Sequence, residues 1–395
     1  MSEKSFVVIG VSDKRDQWFS PDVLEVVRSN SVFSGGKRHH SIVRPLLPLG
    51  SIWIDIIVPL EEVWRKYEEY DRIVVFASGD PLFYGYAVTL QREFPNADLV
   101  VFPAFTSLQM LAHRMLLPYA DMVNVSVTGR PWSGLDTALI EHRNLIGVLT
   151  DRKKGPAEIA KRMIRYGYDN YIISVGENLG HETFERVTTF SLNDAIQHSF
   201  SQPNCVILQM THQRQRYFGI PEREFYHLFG REKMITKMPI RLLTLSMLDL
   251  PHRKSLWDIG FCTGSVSIEA KLQFPQLEVT AFERREESRN LLKKNCRKFG
   301  VPGINAVIED FMNCDVALFP RPDAVFIGGH GGRLKDIIAR IITVLLPGGV
   351  IVFNSVTEQS CKMFGEGIME AGLSITESHS LTLDNHNTIK ILKAQ

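Results

Sequence analysis

Short apolar runs recur along the chain, and polar stretches with turn residues or helical spacing separate them. Phe6 to Ile9, Ile73 to Phe76, Leu99 to Phe102, Leu145 to Leu149 and Tyr171 to Val175 are β-branched or aromatic runs and are predicted as strands. Pro156 to Tyr166 has helical spacing. Strands alternating with helices imply an α/β fold with parallel or mixed sheets covered on both faces. A second series starts near residue 235, with strands at Leu256 to Ile259, Glu278 to Phe282, Asn305 to Ile308, Ala324 to Ile327 and Val350 to Phe353. Two more follow, around Leu373 to Ser380 and Thr388 to Leu392, and are expected to form an antiparallel edge. Between the series, YFGIPEREFYHLFGREKMITK carries many charges and is the candidate linker.

With 395 residues, two or three domains of roughly 100–200 residues each are expected. Hydrophobic residues at 44% and charged residues at 23% fit a globular protein with large cores. The net charge of +1 gives no support for a nucleic-acid partner. The five cysteines form no CxxC pair and do not resemble a disulfide framework, so a cytoplasmic setting is expected. The first residues have no basic region followed by a long apolar one, so a signal peptide is not expected. Ile42 to Leu60 is interrupted by Arg44, Asp55 and three prolines, so no membrane span is expected. No histidine spacing suggests a protein-bound metal.

Two glycine loops carry the candidate chemistry. In WDIGFCTGSVSIEA (Trp257 to Ala270), a strand ends at Gly260 and a helix restarts after Gly264. Such a turn lets backbone N–H groups and a helix N-terminus approach a ligand. Phe261, Cys262, Thr263 and Ser265 complete it, and Glu283 follows about 20 residues on, where an acid meets ribose hydroxyls. NAD and S-adenosylmethionine (SAM) enzymes share this arrangement. Asp310 and Phe311 after the third strand, the PDAVFIGG strand and LLPGGVIVF tilt it toward SAM, on the seven-strand pattern of class I methyltransferases. Cys262 stands where glycine is usual. It is a reactive thiol at a helix start, or a small side chain tolerated where φ stays negative.

The earlier loop, FASGDPLFYG, follows a strand and precedes a helix. Gly79 allows a sharp turn, Pro81 suits a first helical position and Asp80 a cap. This string, with Ser78 and Leu82, closely resembles the GDP loop of the tetrapyrrole methylases. The likeness extends through Gly10, FSGGKRH, TSLQ with Thr106 and Ser107, VTGRP, LTD, GPAEIA, ENLG and PNCVIL, in the family's order. MITKMPIR, with Thr236, and DAVFIGGHGG resemble the cobalamin-pathway methyltransferases that also decarboxylate. The combination resembles the fused corrin-pathway C(5,15)-methyltransferases. VVIGVSDK departs from the family at Ser12 and Asp13, lacking the usual glycine-proline continuation. Thr128 stands where histidine is frequent.

The resemblance implies a two-lobed tetrapyrrole methylase fold over 1–215, with lobes of about 1–118 and 119–215. A linker at 216–234 and a seven-stranded Rossmann-like class I methyltransferase domain over 235–395 follow. It implies one SAM per domain, methylation of C-5 and C-15 of precorrin-6B or cobalt-precorrin-6B, and decarboxylation of the C-12 acetate. It also implies a tetrapyrrole partner and a homo-oligomer, a tetramer through the later domain. Two rival readings are a methyltransferase for another tetrapyrrole and a non-catalytic early binding module.

The substrate's carboxylates suit arginine and lysine. Lys37, Arg38 and Arg130 in the early part, and Lys237 and Arg241 in the later part, are substrate-binding candidates or else solvated surface charges. His330, between two glycine pairs, is a candidate for proton handling or a simple loop residue. Asp80 either approaches the methyl donor or caps its helix.

Overall fold

The computed structural model describes residues 4–12, 14, 18–383 and 387–395. Asp13 lies outside them. The chain divides into two compact units, one of 1–130, 144–161 and 171–211, the other of 131–143, 162–170 and 212–395.

The first unit holds two sheets. Strands β1 (Ser5–Val11), β2 (Val32–Gly35), β3 (Ile52–Asp55), β4 (Arg72–Ser78) and β5 (Asp98–Phe102) form one, in the order β3-β2-β4-β1-β5. All its pairings are parallel. Phe6 and Val8 of β1 enter one core cluster, while Val7 and Ile9 enter another. Both faces are therefore covered, which is why the strand reads as an unbroken apolar run. The second sheet contains β6 (Val123–Ser126), β7 (Leu145–Leu149), β8 (Tyr171–Glu177), β9 (Arg186–Ser191) and β10 (Asn204–Met210). Its order is β6-β7-β10-β8-β9, with β6 and β7 parallel and the others antiparallel.

The second unit is built on seven strands: β11 (Ser255–Ile259), β12 (Glu278–Glu283), β13 (Ile304–Ile308), β14 (Ala324–Ile327), β15 (Val350–Ser355), β16 (Ile375–Leu381) and β17 (Ile389–Ala394). The order is β13-β12-β11-β14-β15-β17-β16. The last two strands form the expected antiparallel edge. Leu256 of β11 packs into one core, while Trp257 and Ile259 pack into the opposite one. The fold is α/β throughout, and no helix among the described residues is long and apolar enough to cross a membrane.

The candidate linker at 216–234 is anchored by apolar side chains. Ile220 and Phe225 are buried beside Phe261, Ile268 and Phe299. Apolar side chains spaced among the charges hold it down, and a composition average hides them.

Candidate functional sites

In the first unit, the loops after β1, β4 and β5 meet. The Gly79 N–H donates to the Val11 carbonyl at 2.9 Å, and the Gly79 carbonyl accepts from the Ala104 N–H at 3.4 Å. A Cβ on Gly10 would lie 2.1 Å from the Gly79 oxygen and 2.6 Å from the Ala104 nitrogen. Only glycine permits this crossing. The loop then folds on itself: Asp80 Oδ1 accepts from the Leu82 N–H at 2.9 Å, and a Cβ on Gly85 would stand 2.4 Å from the Pro81 oxygen. The helix begins only at Tyr86. Asp80 therefore holds a turn rather than capping that helix, and Pro81 precedes it. Thr106 and Gln109 form a reciprocal cap on the helix Ser107–Arg114.

These loops bound a cavity of about 500 Å³. Ser78, Gly79, Asp80, Thr106, Ser107 and Arg38 line it, together with His39, Tyr84, Thr128, Thr150 and Asn204. Gly10 sits behind Gly79, Pro81 is buried, and Leu82 and Lys37 are exposed. Among the described residues these four are not part of the cavity wall. Arg130 lies over the Tyr84 ring, its guanidinium carbon 5.2 Å from the centroid. Thr150 and Asn204, which sequence reasoning missed, are joined by a 2.7 Å hydrogen bond. Both lay within or beside quoted motifs, LTD and PNCVIL, but their role depends on a pairing of distant strands.

In the second unit, Gly260 (φ +81°) ends β11. A Cβ there would be 2.7 Å from the Gly329 nitrogen, so glycine is needed for the loops after β11 and β14 to touch. Gly264 (φ +77°) precedes the helix Ser265–Gln273. Its missing Cβ leaves room for Leu292. Cys262 has φ +49°, contrary to the expectation of negative φ. A non-glycine residue in this region stores about 1–3 kcal/mol. Its thiol donates to the Met234 carbonyl at 3.2 Å, and its N–H donates to Glu283 Oε2 at 3.2 Å. Burial, with Glu283 nearby, pushes the thiol pKa up to about 11. This disfavours the reactive-thiolate alternative at neutral pH.

The surrounding cavity has a volume of about 460 Å³. It is lined by Thr236, Lys237, Gly260, Phe261, Cys262, Thr263, Ser265, Glu283, Asp310, Phe311 and His330. Glu283 is buried and also receives Arg285 at 3.1 Å. Asp310 pairs with Arg333 at 2.6 Å. His330 Nδ1 accepts from the Gly332 N–H at 3.2 Å. This acceptance assigns the proton of the neutral ring to Nε2, and burial lowers the ring's pKa.

Arg241 is not a substrate ligand. It is fully buried and bonds Glu269 at 2.8 Å, the Thr236 carbonyl at 2.7 Å and the Ile220 carbonyl. Its guanidinium is consumed inside the fold. Conversely, sequence reasoning missed Asp258, Arg284, Arg285 and Arg333 in the lining. Asp258 Oδ2 accepts the Ser267 N–H and hydroxyl, at 3.2 and 2.6 Å. Its Oδ1 is buried without a protein partner, as is Thr263 Oγ1. Burial, partly offset by Ser267, pushes the Asp258 pKa up to about 6. Asp258 was visible in WDIG, yet a polar residue inside an apolar strand gave no spacing signal.

Among the described residues, no cluster of potential metal ligands is present. The later cavity combines a glycine crossing that leaves close access with the carboxylates of Glu283 and Asp310, each already paired with an arginine, and with the unsatisfied oxygens of Asp258 and Thr263. Residues 10–196 match the profile of tetrapyrrole (corrin/porphyrin) methylases, and residues 227–385 match that of the precorrin methyltransferase domain. The chain is 32% identical to a precorrin-6Y C(5,15)-methyltransferase [decarboxylating] from Sinorhizobium sp, over 89% of this chain and 84% of that protein. It is 38% identical to the cobalt-precorrin-6B C(15)-methyltransferase (decarboxylating) of Salmonella typhimurium, over 34% of this chain and 68% of that one. It is 31% identical to the same organism's cobalt-precorrin-7 C(5)-methyltransferase, over 46% of this chain and 87% of that one.

Proposed function

Because the chain belongs to the precorrin-6Y C(5,15)-methyltransferase (decarboxylating) family, we propose that it performs both methylations and the decarboxylation, one methylation in each cavity. The early cavity serves C-5. The later one serves C-15 and the C-12 acetate of precorrin-6B or its cobalt form, giving precorrin-8 or cobalt-precorrin-8. The observation that carries this reading is the pair of separate glycine-built cavities, each at the ends of parallel strands. Two distant ring carbons present two geometries, and two differently shaped pockets meet them.

Bound SAM supplies an electrophilic methyl group. The protein holds donor and acceptor carbon in line, and such alignment supplies much of the acceleration. In the later cavity, Gly260 and Phe261 admit the donor closely. Glu283 would be the partner for its ribose hydroxyls, Asp310 and Phe311 would lie beside its base, and Thr263 and Ser265 would offer hydroxyls. Thr236 and Lys237 also line this cavity, and Lys237 would meet substrate carboxylates. In the early cavity, the Gly79–Asp80 loop and the Thr106–Ser107 helix start would hold the donor, while Arg38 and Arg130 would serve the substrate.

In decarboxylation, the bond between the acetate carboxyl and its methylene breaks. Its electron pair enters the conjugated macrocycle and carbon dioxide leaves. His330, neutral with its Nε2–H outward, orients an acceptor on the ring. Its lowered pKa disfavours the imidazolium, so its part is hydrogen-bond donation rather than strong acid catalysis.

The test incubates the purified full chain with SAM and precorrin-6B, or its cobalt form, and reads product mass. The reading requires two added methyl groups and one lost carbon dioxide. Calorimetry with SAM is expected to count two donors per chain. Retained carboxyl would favour a methyltransferase acting without decarboxylation, and one donor per chain would favour an early binding module.

A further inference from the structure

At the opening of the early cavity one exposed arginine is held by the backbone that carries it and by the ring beneath it. Arg130 follows the turn at Gly129, which has φ +60°. The Arg130 N–H donates to the Val127 carbonyl at 3.3 Å. Asp151 fixes the same turn. Its Oδ2 accepts the Gly129 N–H at 2.9 Å, and its Oδ1 accepts the Lys153 and Lys154 N–H groups at 2.8 and 2.7 Å. The Lys154 ammonium donates to the Arg130 carbonyl. The main chain at Arg130 is therefore set by the fold.

The ring is that of Tyr84, and the guanidinium carbon lies 5.2 Å from its centroid. It is itself anchored. Its hydroxyl donates to the Asn124 carbonyl at 3.0 Å, and Phe83 meets it edge-on at 5.1 Å between centroids. Tyr84 has φ +53°, a region that bulky side chains avoid. Strain of this kind persists only where the surroundings enforce it, and it gathers at ligand sites. Little burial is gained in exchange, because Tyr84 stays 44% exposed.

The contact with the ring uses the charge of the guanidinium and leaves its N–H donors unspent. Among the described residues those donors form no hydrogen bond and no ion pair. Tyr84 and Thr128 both line the cavity, which puts Arg130 at its rim. An arginine meets a carboxylate through two parallel hydrogen bonds, and these need a defined guanidinium plane. A platform beneath the side chain also removes in advance the rotamer freedom that binding would otherwise cost.

We propose that Tyr84 is a positioning residue that holds Arg130 at the rim of the early cavity, where Arg130 clamps one side-chain carboxylate of the macrocycle. This rests on the reading that the cavity methylates a tetrapyrrole. The experiment uses the full chain with SAM and precorrin-6B, or its cobalt form. It follows C-5 and C-15 methylation in the same sample by mass spectrometry. Macrocycle is varied at saturating SAM, and SAM at saturating macrocycle.

Arg130→Gln is expected to raise the macrocycle KM for C-5 methylation about tenfold with kcat nearly unchanged, the mark of lost uniform binding. Tyr84→Leu keeps the backbone strain but loses the ring, and a rise of about fivefold is expected. Tyr84→Phe keeps the ring and is expected to stay within about twofold of the unaltered protein. With both Arg130→Gln and Tyr84→Leu, the KM is expected within about twofold of Arg130→Gln alone, because the ring then has nothing to position. The KM for SAM and the C-15 methylation should not move.

An unchanged macrocycle KM in Arg130→Gln would overturn the clamp. So would a rise confined to the KM for SAM, since the donor's own carboxylate would then be the one held. Multiplied effects in the double variant, about fiftyfold, would overturn the positioning role. Tyr84→Phe as impaired as Tyr84→Leu would overturn it too, because the hydroxyl bond to Asn124 would then be the contact that matters. An unaltered protein that methylates C-15 but makes no C-5 product would instead remove the reading of the cavity, and the clamp with it.

Discussion

The two glycine loops reach similar ends by different means. The early one is a crossing of backbones: Gly10, Gly79 and Ala104 knit three strand ends, and the side chains at the opening stay exposed. The later one is a cradle of buried polar groups, in which Asp258, Thr263, Ser265, Ser267 and Glu283 lie beneath a strained Cys262. The backbone crossing depends on steric clearance and on its own peptide hydrogen bonds. Buried polar cradles depend on hydrogen-bond satisfaction, and each unpartnered oxygen there raises the cost of the empty site. The later pocket should therefore respond more strongly to charge and to ligand.

The largest expected effect is on the polar framework behind the later cradle. Arg241→Ala strips the ion-pair partner from fully buried Glu269, leaving only the Gly219 and Ile220 N–H donors, and a loss of about 3–5 kcal/mol in stability is expected, read by denaturant unfolding. A loss below 1 kcal/mol would show that this framework matters no more than ordinary packing. Next come the matched substitutions Gly10→Ala and Gly260→Ala. Each is expected to cut its own methylation on the order of 10²-fold while sparing the other. Site-resolved mass spectrometry of the product reads this, and simultaneous loss of both would break the comparison.

Asp258→Asn sharpens the electrostatic difference. The folded-state pKa of Asp258 is raised to about 6. The folded protein thus holds that proton more tightly than the unfolded chain, and stability falls as pH rises from about 4 to about 6. Above that window the substitution is expected to stabilise the ligand-free protein by up to about 2–3 kcal/mol. At pH 3.5 it should give no such gain. Melting temperatures across pH provide the check, and equal gains at both ends would refute the assignment. The smallest effect concerns Cys262. With its pKa near 11, only about 10⁻³ of the thiol is ionised at pH 8, so alkylation should be slow and quicken with rising pH. Rapid labelling at pH 7 would contradict the buried thiol.

Much of the later unit was legible because its central strands β11, β12, β14 and β15 are buried on both faces and its loop follows one of them directly. Ala324–Ile327 matches its apolar run at both ends, as does Leu145–Leu149 in the first unit. Strands β2 (VFSG), β3 (IWID) and β6 (VNVS) break their four positions with polar residues or glycine, so unlike the all-apolar Ala324–Ile327 they show neither an apolar run nor a period. Strand β9 has mostly partly exposed residues and lacks an apolar run. At the sites, Glu283, Asp310 and His330 line the same cavity as the glycine loop, and of the three only Glu283 was marked by its spacing. Arg241 failed because arginine ordinarily reads as surface, and its partner Glu269 is distant in sequence. Arg284 and Arg333 passed unnoticed for a similar reason: ordinary surface residue types become pocket residues only once the strand order is known.

The helix Ser265–Gln273 leaves a last consequence. Eight of its nine residues are buried, including Ser267, Glu269 and Lys271. It has no wet side on which sequence drift can be absorbed. A saturation library across this segment would recover few survivors, and its serine, glutamate and lysine positions would prove as unforgiving as its valine and isoleucine.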